Sequence, residues 1–393
     1  MTGHNVKAHQ EHQSDTSTVR SPWIFALIIL TLLVIAFILW ENRDQRTSDQ
    51  SVPLPTIPVI NPTDIVSLLP PDAIPAIDNP QFEEAGAAVE HLKSDERVIG
   101  MVINGDARAY PINILSSHEI VNDVVGGEPV AVTWCPLCYS ALVFSRTVDG
   151  GEESLTFGVS GKLLYNTLVM FDRESGSLWS QLYGGGIQGR WAGTSLLAFP
   201  SIHTDWSTWY GEHPDSQVLS KEITREQFQR GTYAEAPRSS YYVDPYESYY
   251  LERDEGVINR NIPRDDRSLL PKQKVLGVRT ASSARAYPYS VLNDQPLVND
   301  EIDGVPVMVW FDSDSQTGRA FERTVNGQVL VFDDDPQNPN IMIDEITGSR
   351  WNALNGEAIA GSLEGERLSP LIVTPAFEFG WYDYFPESST YGE

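Results

Sequence analysis

The chain has two cysteines, and they stand close together as Cys135-Pro136-Leu137-Cys138, directly after Trp134. Two thiols at this spacing can hold one metal ion, or can close into a strained, reducible disulfide. The residues after the motif, Tyr139 to Arg146, alternate apolar and polar and read as a strand. A redox C-x-x-C whose second cysteine opens a helix has a different layout. Strand, C-P-x-C turn, strand is the pattern of a metal-binding knuckle. A closed tetrahedral site needs four ligands, so His118 and His203 are the expected partners of Cys135 and Cys138. Thiolates are soft and favour Cu(I) or Zn(II) over hard cations. A redox pair using Cys135 and Cys138 remains an alternative, as do inert buried thiols. Glu119, Asn122, Asp123, Ser160 and Lys162 are further candidates for the same pocket.

These residues lie in a body that repeats itself. ARAYP at 107–111 returns at 284–288, and Val121-Asn122-Asp123 returns as Val298-Asn299-Asp300. With a five-residue deletion the match continues: Asp172, Gly176, Trp179 and Gly184 meet Asp344, Gly348, Trp351 and Gly356, and Trp209-Tyr210 meets Trp381-Tyr382. A period this long means duplicated domains, not a solenoid. The second repeat acts as an internal control. Cys135 becomes Asp312, Cys138 becomes Ser315, His118 becomes Gln295, Glu119 becomes Pro296 and His203 becomes Pro375. The reactive side chains are lost while the glycines and tryptophans persist, so the first repeat is expected to carry the chemistry.

Each repeat reads as mainly β, a sandwich or partly open barrel with a few short helices. Val98–Ile103 and Ala107–Tyr110 flank Asn104-Gly105, which suits a tight hairpin turn. Ile112–Val121 is expected to be a short helix. Pro129–Trp134, Ala141–Arg146, Ser154–Val159, Tyr165–Phe171 and Leu178–Tyr183 are expected strands. Thr204 is expected to cap a helix carrying Trp206, Trp209, Tyr210 and His213.

Several motifs fail on spacing. The glycine run at 184–189 fits G-x-G-x-x-G but lacks the following acidic residue, so no nucleotide cofactor is expected. Gly158-Val159-Ser160-Gly161-Lys162 is neither a nucleophile elbow nor a P-loop. His118-Glu119 lacks the second histidine of a zincin helix.

Composition narrows the partners. Asp and Glu number 54 against 27 Lys and Arg, a formal charge of −27, which repels phosphate backbones and argues against nucleic-acid binding. From Trp23 to Trp40 the chain is uncharged and apolar, with tryptophan at both ends. That is long enough for a hydrocarbon core of roughly 30 Å. The expected organisation is an N-terminal tail (1–21), a transmembrane helix (22–40) and a Pro-rich stalk (41–89). The first β repeat (90–220), a Tyr-rich connector (221–271) and the second repeat (272–393) follow. Flanking positive charges tie, but the short tail and large acidic body favour the N-terminus inside and the body outside the cytoplasm.

The run HEIVNDVVGGEPVAVTWCPLCYSALVFSR, then LTFGVSGKLLYNTLVMFDRESGSLWSQLYG, then the H-T-x-W-x-x-W stretch at 203–209, resembles the bacterial and archaeal domain-of-unknown-function family 3179. The resemblance implies a protein anchored in or exported across the membrane. It places the family hallmarks on Cys135, Cys138, His118, Asn122, Asp123 and Ser160. The expected function is therefore a membrane-anchored thiol/imidazole site for Cu or Zn. The alternatives are thiol–disulfide redox chemistry and a non-enzymatic module for a surface protein or glycan partner.

Overall fold

The computed structural model describes residues 51–54, 57–148, 153–222, 241–252, 255–258 and 269–392. The expected tail, transmembrane helix and first part of the stalk lie outside the described residues. Among the described residues, no helix is long and apolar enough to cross a membrane. Thr47–Glu393 forms one compact unit.

The described chain is mainly β with a few short helices. Strands β1 (Arg97–Ile103) and β2 (Asp106–Pro111) form the hairpin set by Asn104-Gly105, both at positive φ. Helix α1 (Ile112–His118) is shorter than expected. It stops because Glu119 turns left-handed, and the Val-rich run after it pairs as β3 (Ile120–Val125) with β4 (Glu128–Cys135). Strand β5 (Ser140–Ser145) completes the ladder, with Cys135 opposite Ser140. A second hairpin joins β6 (Phe157–Leu164) to β7 (Thr167–Asp172) through Tyr165 and Asn166, both at positive φ, which is why β7 begins later than expected. Strand β8 (Leu178–Ser180) extends that sheet. The first repeat closes with β9 (Ile202–Asp205) beside β1 and helix α2 (Trp206–Glu212). The cap of α2 is Asp205, which accepts from Thr208 N–H at 2.8 Å. Thr204 sits one residue earlier, in the strand.

In the connector, α3 (Glu247–Leu251) is described. The second repeat then runs through β10 (Lys274–Arg279), β11 (Ala284–Pro288), α4 (Tyr289–Asp294), β12 (Leu297–Ile302), β13 (Val305–Asp312) and β14 (Thr317–Glu322). It ends with β15 (Ile372–Phe377) and α5 (Glu378–Tyr384). Register repeats with topology: Val98 faces Pro111 as Val275 faces Pro288, and Cys135 faces Ser140 as Asp312 faces Thr317.

The residues shared by both repeats do structural work. Asp123 accepts from Arg108 (2.7 Å) and Tyr110 (2.6 Å), as Asp300 accepts from Arg285 (2.5 Å) and Tyr287 (2.7 Å). Asn122 exchanges two hydrogen bonds with the backbone of Phe157, and Asn299 does the same with Phe332. Each clamp ties one sheet to the next and satisfies buried polar groups.

The repeats pack reciprocally. β9 lies against β14, and β15 lies against β5. Ile202 packs on the second repeat's core, while Ile372, Phe377, Phe379 and Tyr384 belong to the first repeat's core. Arg97 donates to the carbonyls of Ser315 and, at 3.0 Å, of His203. Within each repeat the closing helix lays a tryptophan over a strand glycine: Trp209 over Gly100 and Trp381 over Gly277, with no room for a methyl group at either glycine. Gly277→Ala is therefore expected to destabilise the fold by about 1–3 kcal/mol through overpacking, read by urea unfolding. An unchanged midpoint would refute the lock.

Candidate functional site

The C-P-x-C segment forms the tight turn between β4 and β5, with Tyr139 left-handed at φ 58° just before β5. Both cysteines are unbonded and buried. Burial alone would raise the Cys135 thiol. The hydrogen bond from the Cys138 thiol, with backbone N–H groups of Cys138 and Leu137, outweighs it and brings Cys135 below the ordinary thiol value. Cys138 is pushed well above that value by burial and by its proton-sharing with Cys135. The pair is thus unequal: Cys135 is the more acidic sulfur and Cys138 the less acidic.

Glu119 lies within electrostatic reach of Cys135. It is buried, its carboxyl is pushed up to about 8 by burial and then by the charge on Cys135, and it holds a strained left-handed backbone (φ 58°). Its carbonyl accepts from Trp134 N–H at 2.8 Å, which fixes it beside β4. On the other side, Cys138 Sγ lies 3.1 Å from Ser140 Oγ, Ser140 donates to Gln181 Oε1 (2.9 Å), and Gln181 donates to Thr133 Oγ1 (3.2 Å). A buried polar chain therefore runs from the second sulfur into the core.

The roof comes from elsewhere in the chain. Tyr249 donates to Leu137 O at 2.8 Å, and Tyr250 packs edge-on against both Tyr139 and Phe377. From the second repeat, Phe377 N–H donates to Cys138 O at 2.8 Å, and Gly380 of α5 sits directly on the Cys138 side chain. The described part of the connector thus packs across both repeats.

A family model described as a protein of unknown function, DUF3179, matches residues 71–388. The chain belongs to this family. No curated protein and no solved structure matches it.

In this DUF3179 chain the imidazoles stand apart from the sulfurs' hydrogen-bond network. His118 lies 2.7 Å from Pro75 O and 2.8 Å from Tyr241 OH, and burial lowers it to about 4. His203 packs between the rings of Trp134 and Tyr139, and neither ring nitrogen has a hydrogen-bond partner. Among the described residues no group of three or more His, Cys, Asp or Glu converges to hold a metal ion. The expected four-ligand set of Cys135, Cys138, His118 and His203 is therefore not gathered as such.

The remaining candidates also disperse. Asn122 and Asp123 are the sheet clamps described above. Ser160 and Lys162 lie on a bulge in β6, where Ser160 donates to Val169 O (2.5 Å) and Lys162 reaches Ser67 Oγ (2.5 Å). Of these candidates, Glu119 alone is electrostatically coupled to Cys135. Gln181 and the connector tyrosines were missed by sequence reasoning. Gln181 was nonetheless detectable, because its counterpart in the second repeat is Ala353.

A buried carboxyl raised from 4.5 to about 8 is protonated in the folded chain where the unfolded chain has lost the proton. Its contribution to stability is complete below about 4.5 and falls as pH rises towards about 8, by at most about 1.4 kcal/mol per pH unit. Glu119→Gln, which stays neutral, is expected to lose this decline relative to wild type in urea unfolding between those values. Parallel pH profiles for the two proteins would contradict the assignment.

Proposed function

We propose that the first repeat is a dithiol centre for thiol–disulfide exchange. The observation that carries this reading is the pair itself: two unbonded, buried thiols on one tight turn, Cys135 brought below the ordinary thiol value and Cys138 pushed above it, with the raised carboxyl of Glu119 within electrostatic reach of Cys135. In the exchange, the Cys135 thiolate attacks a sulfur of a substrate disulfide, whose S–S bond breaks as the mixed disulfide forms. The leaving thiolate takes a proton from Glu119. Cys138 then loses its proton to the Glu119 carboxylate and attacks Cys135. The second substrate sulfur leaves as a thiolate that water protonates, and the chain keeps a Cys135–Cys138 disulfide. Two electrons pass from the dithiol to the substrate. A buried pair requires the tyrosine roof to shift before substrate can reach it.

A second reading, binding of a soft ion, is favoured by the N–H groups of Leu137 and Cys138 that bond to the Cys135 sulfur, the donor pattern of a knuckle. In this form Cys135 and Cys138 alone hold Cu(I) or Zn(II), without the imidazoles. For the body as a whole, we read two duplicated units, each a partly open barrel, on an N-terminal transmembrane helix at 22–40 with the body outside the cytoplasm.

The reduced full chain, equilibrated in glutathione buffers and quenched with a thiol-alkylating reagent, is expected to titrate as a single two-electron couple. Cys138→Ser is expected to accumulate a mixed disulfide on Cys135. A pair that never oxidises would remove the redox reading. Cu(I) or Zn(II) bound one per chain, and lost in Cys135→Ser/Cys138→Ser, would favour the metal reading instead.

A further inference from the structure

The reciprocal packing of the repeats leaves two clefts along the seam. One, of about 230 Å³, lies between the α2 end of the first repeat and β14 of the second. The other, of about 310 Å³, takes the corresponding place beside α5, with Tyr183 where the first has Asn355 and Phe385 where the first has His213. Each holds a buried arginine with no carboxylate partner among the described residues, and the two arginines come from different strands.

They differ in how fully they are satisfied. Arg279 donates to Leu182 O (2.9 Å) and Thr374 Oγ1 (3.4 Å) and is 2% exposed. Arg319 is 9% exposed and makes one hydrogen bond, from Nη1 to Ser201 O at 3.0 Å; the buried Nε of each arginine has no hydrogen-bond partner. Burial lowers Arg319 to about 10, the mark of a cation without a counter-charge. Of the other charges at this cleft, Arg367 pairs with Glu357 (2.5 Å), while Glu212 accepts only from the neutral amide of Asn352 (3.4 Å) and keeps its negative charge at the rim. The walls are largely apolar, from Phe199, Ile202, Leu354 and Pro370. At one side His213 packs on Trp209, with its imidazole pushed towards the neutral form by burial.

We propose that this seam cleft binds a small organic carboxylate with an apolar body, its carboxylate on the Arg319 guanidinium. A guanidinium matches a carboxylate in planar geometry, and the interaction strengthens where water is excluded. The volume suits a ligand of benzoate or hexanoate size. The −27 net charge of the chain opposes non-specific anion adsorption, so occupancy of the cleft depends on Arg319, the cation there that lacks a carboxylate partner among the described residues. The inference is independent of the thiol chemistry.

The test is ligand-observed NMR on the full chain with benzoate, hexanoate, the neutral isostere benzamide, and inorganic phosphate. Benzoate or hexanoate is expected to bind, benzamide and phosphate at least tenfold more weakly. Arg319→Met, which keeps the bulk of the side chain, is expected to weaken carboxylate binding at least tenfold, and Arg319→Lys to retain part of it. Cys135→Ser/Cys138→Ser is expected to bind as wild type, which separates this site from the dithiol. Failure of both carboxylates to bind, equal binding of benzamide or phosphate, or equal binding by an Arg319→Met protein with a native circular dichroism spectrum would each overturn the proposal.

Discussion

The reciprocal seam between the repeats is the contact on which the rest depends. β15 of the second repeat lies along β5 of the first, so its Phe377 N–H reaches the carbonyl of Cys138 and its continuing helix places Gly380 on the cysteine itself. Without that strand the C-P-x-C turn would face water, and solvation would erase the difference between its sulfurs. Apolar burial supplies the driving force. Ile372, Phe377 and Phe379 are counted in the first repeat's core, and a core shared in this way cannot be divided without exposing both sides.

Within that dry setting, small polar differences become large. A carboxyl, two thiols and a hydroxyl–amide chain lie around one turn, and in low dielectric they cannot all carry charge. Burial raises the Cys135 thiol, but the Cys138 side chain and then backbone N–H groups bring it below the ordinary value, while burial and the neighbouring Cys135 raise the Glu119 carboxyl. The strained backbone at Glu119 and Tyr139 fits this picture. Non-glycine residues hold left-handed conformations where the surroundings force them, and both flank the same turn.

Much of the scaffold was readable from residue order. Asn104-Gly105 announced its hairpin, the alternation after Cys138 announced β5, and the internal repeat carried over to matched registers. The helix at Ile112 was drawn three residues too long, through Glu119 to Val121, because this short apolar run fits either period; only the left-handed turn at Glu119 and the partner strand decide it. The site was legible in part. Comparing repeats singled out the cysteines, His118, Glu119 and His203 together, yet the nitrogens of His118 face Pro75 and Tyr241. Loss in a sister repeat marks a residue as dispensable there, not as adjacent to its fellows. The tyrosine roof was invisible because it arrives from more than a hundred residues away and has no counterpart to compare.

The near two-fold relation of the repeats has one more consequence. Were the body a dimer of identical single-repeat chains, every substitution in the turn would occur twice, and both turns would be dithiols or neither would. Joining the copies in one polypeptide breaks that identity. One turn keeps sulfur, while its partner becomes Asp312-Ser313-Asp314-Ser315, whose Ser315 and Thr317 hydroxyls bond to each other and, through Thr317, to Thr204 across the seam. Covalent fusion thus lets the two turns diverge, one keeping a pair of thiols and the other a hydroxyl network that crosses the seam.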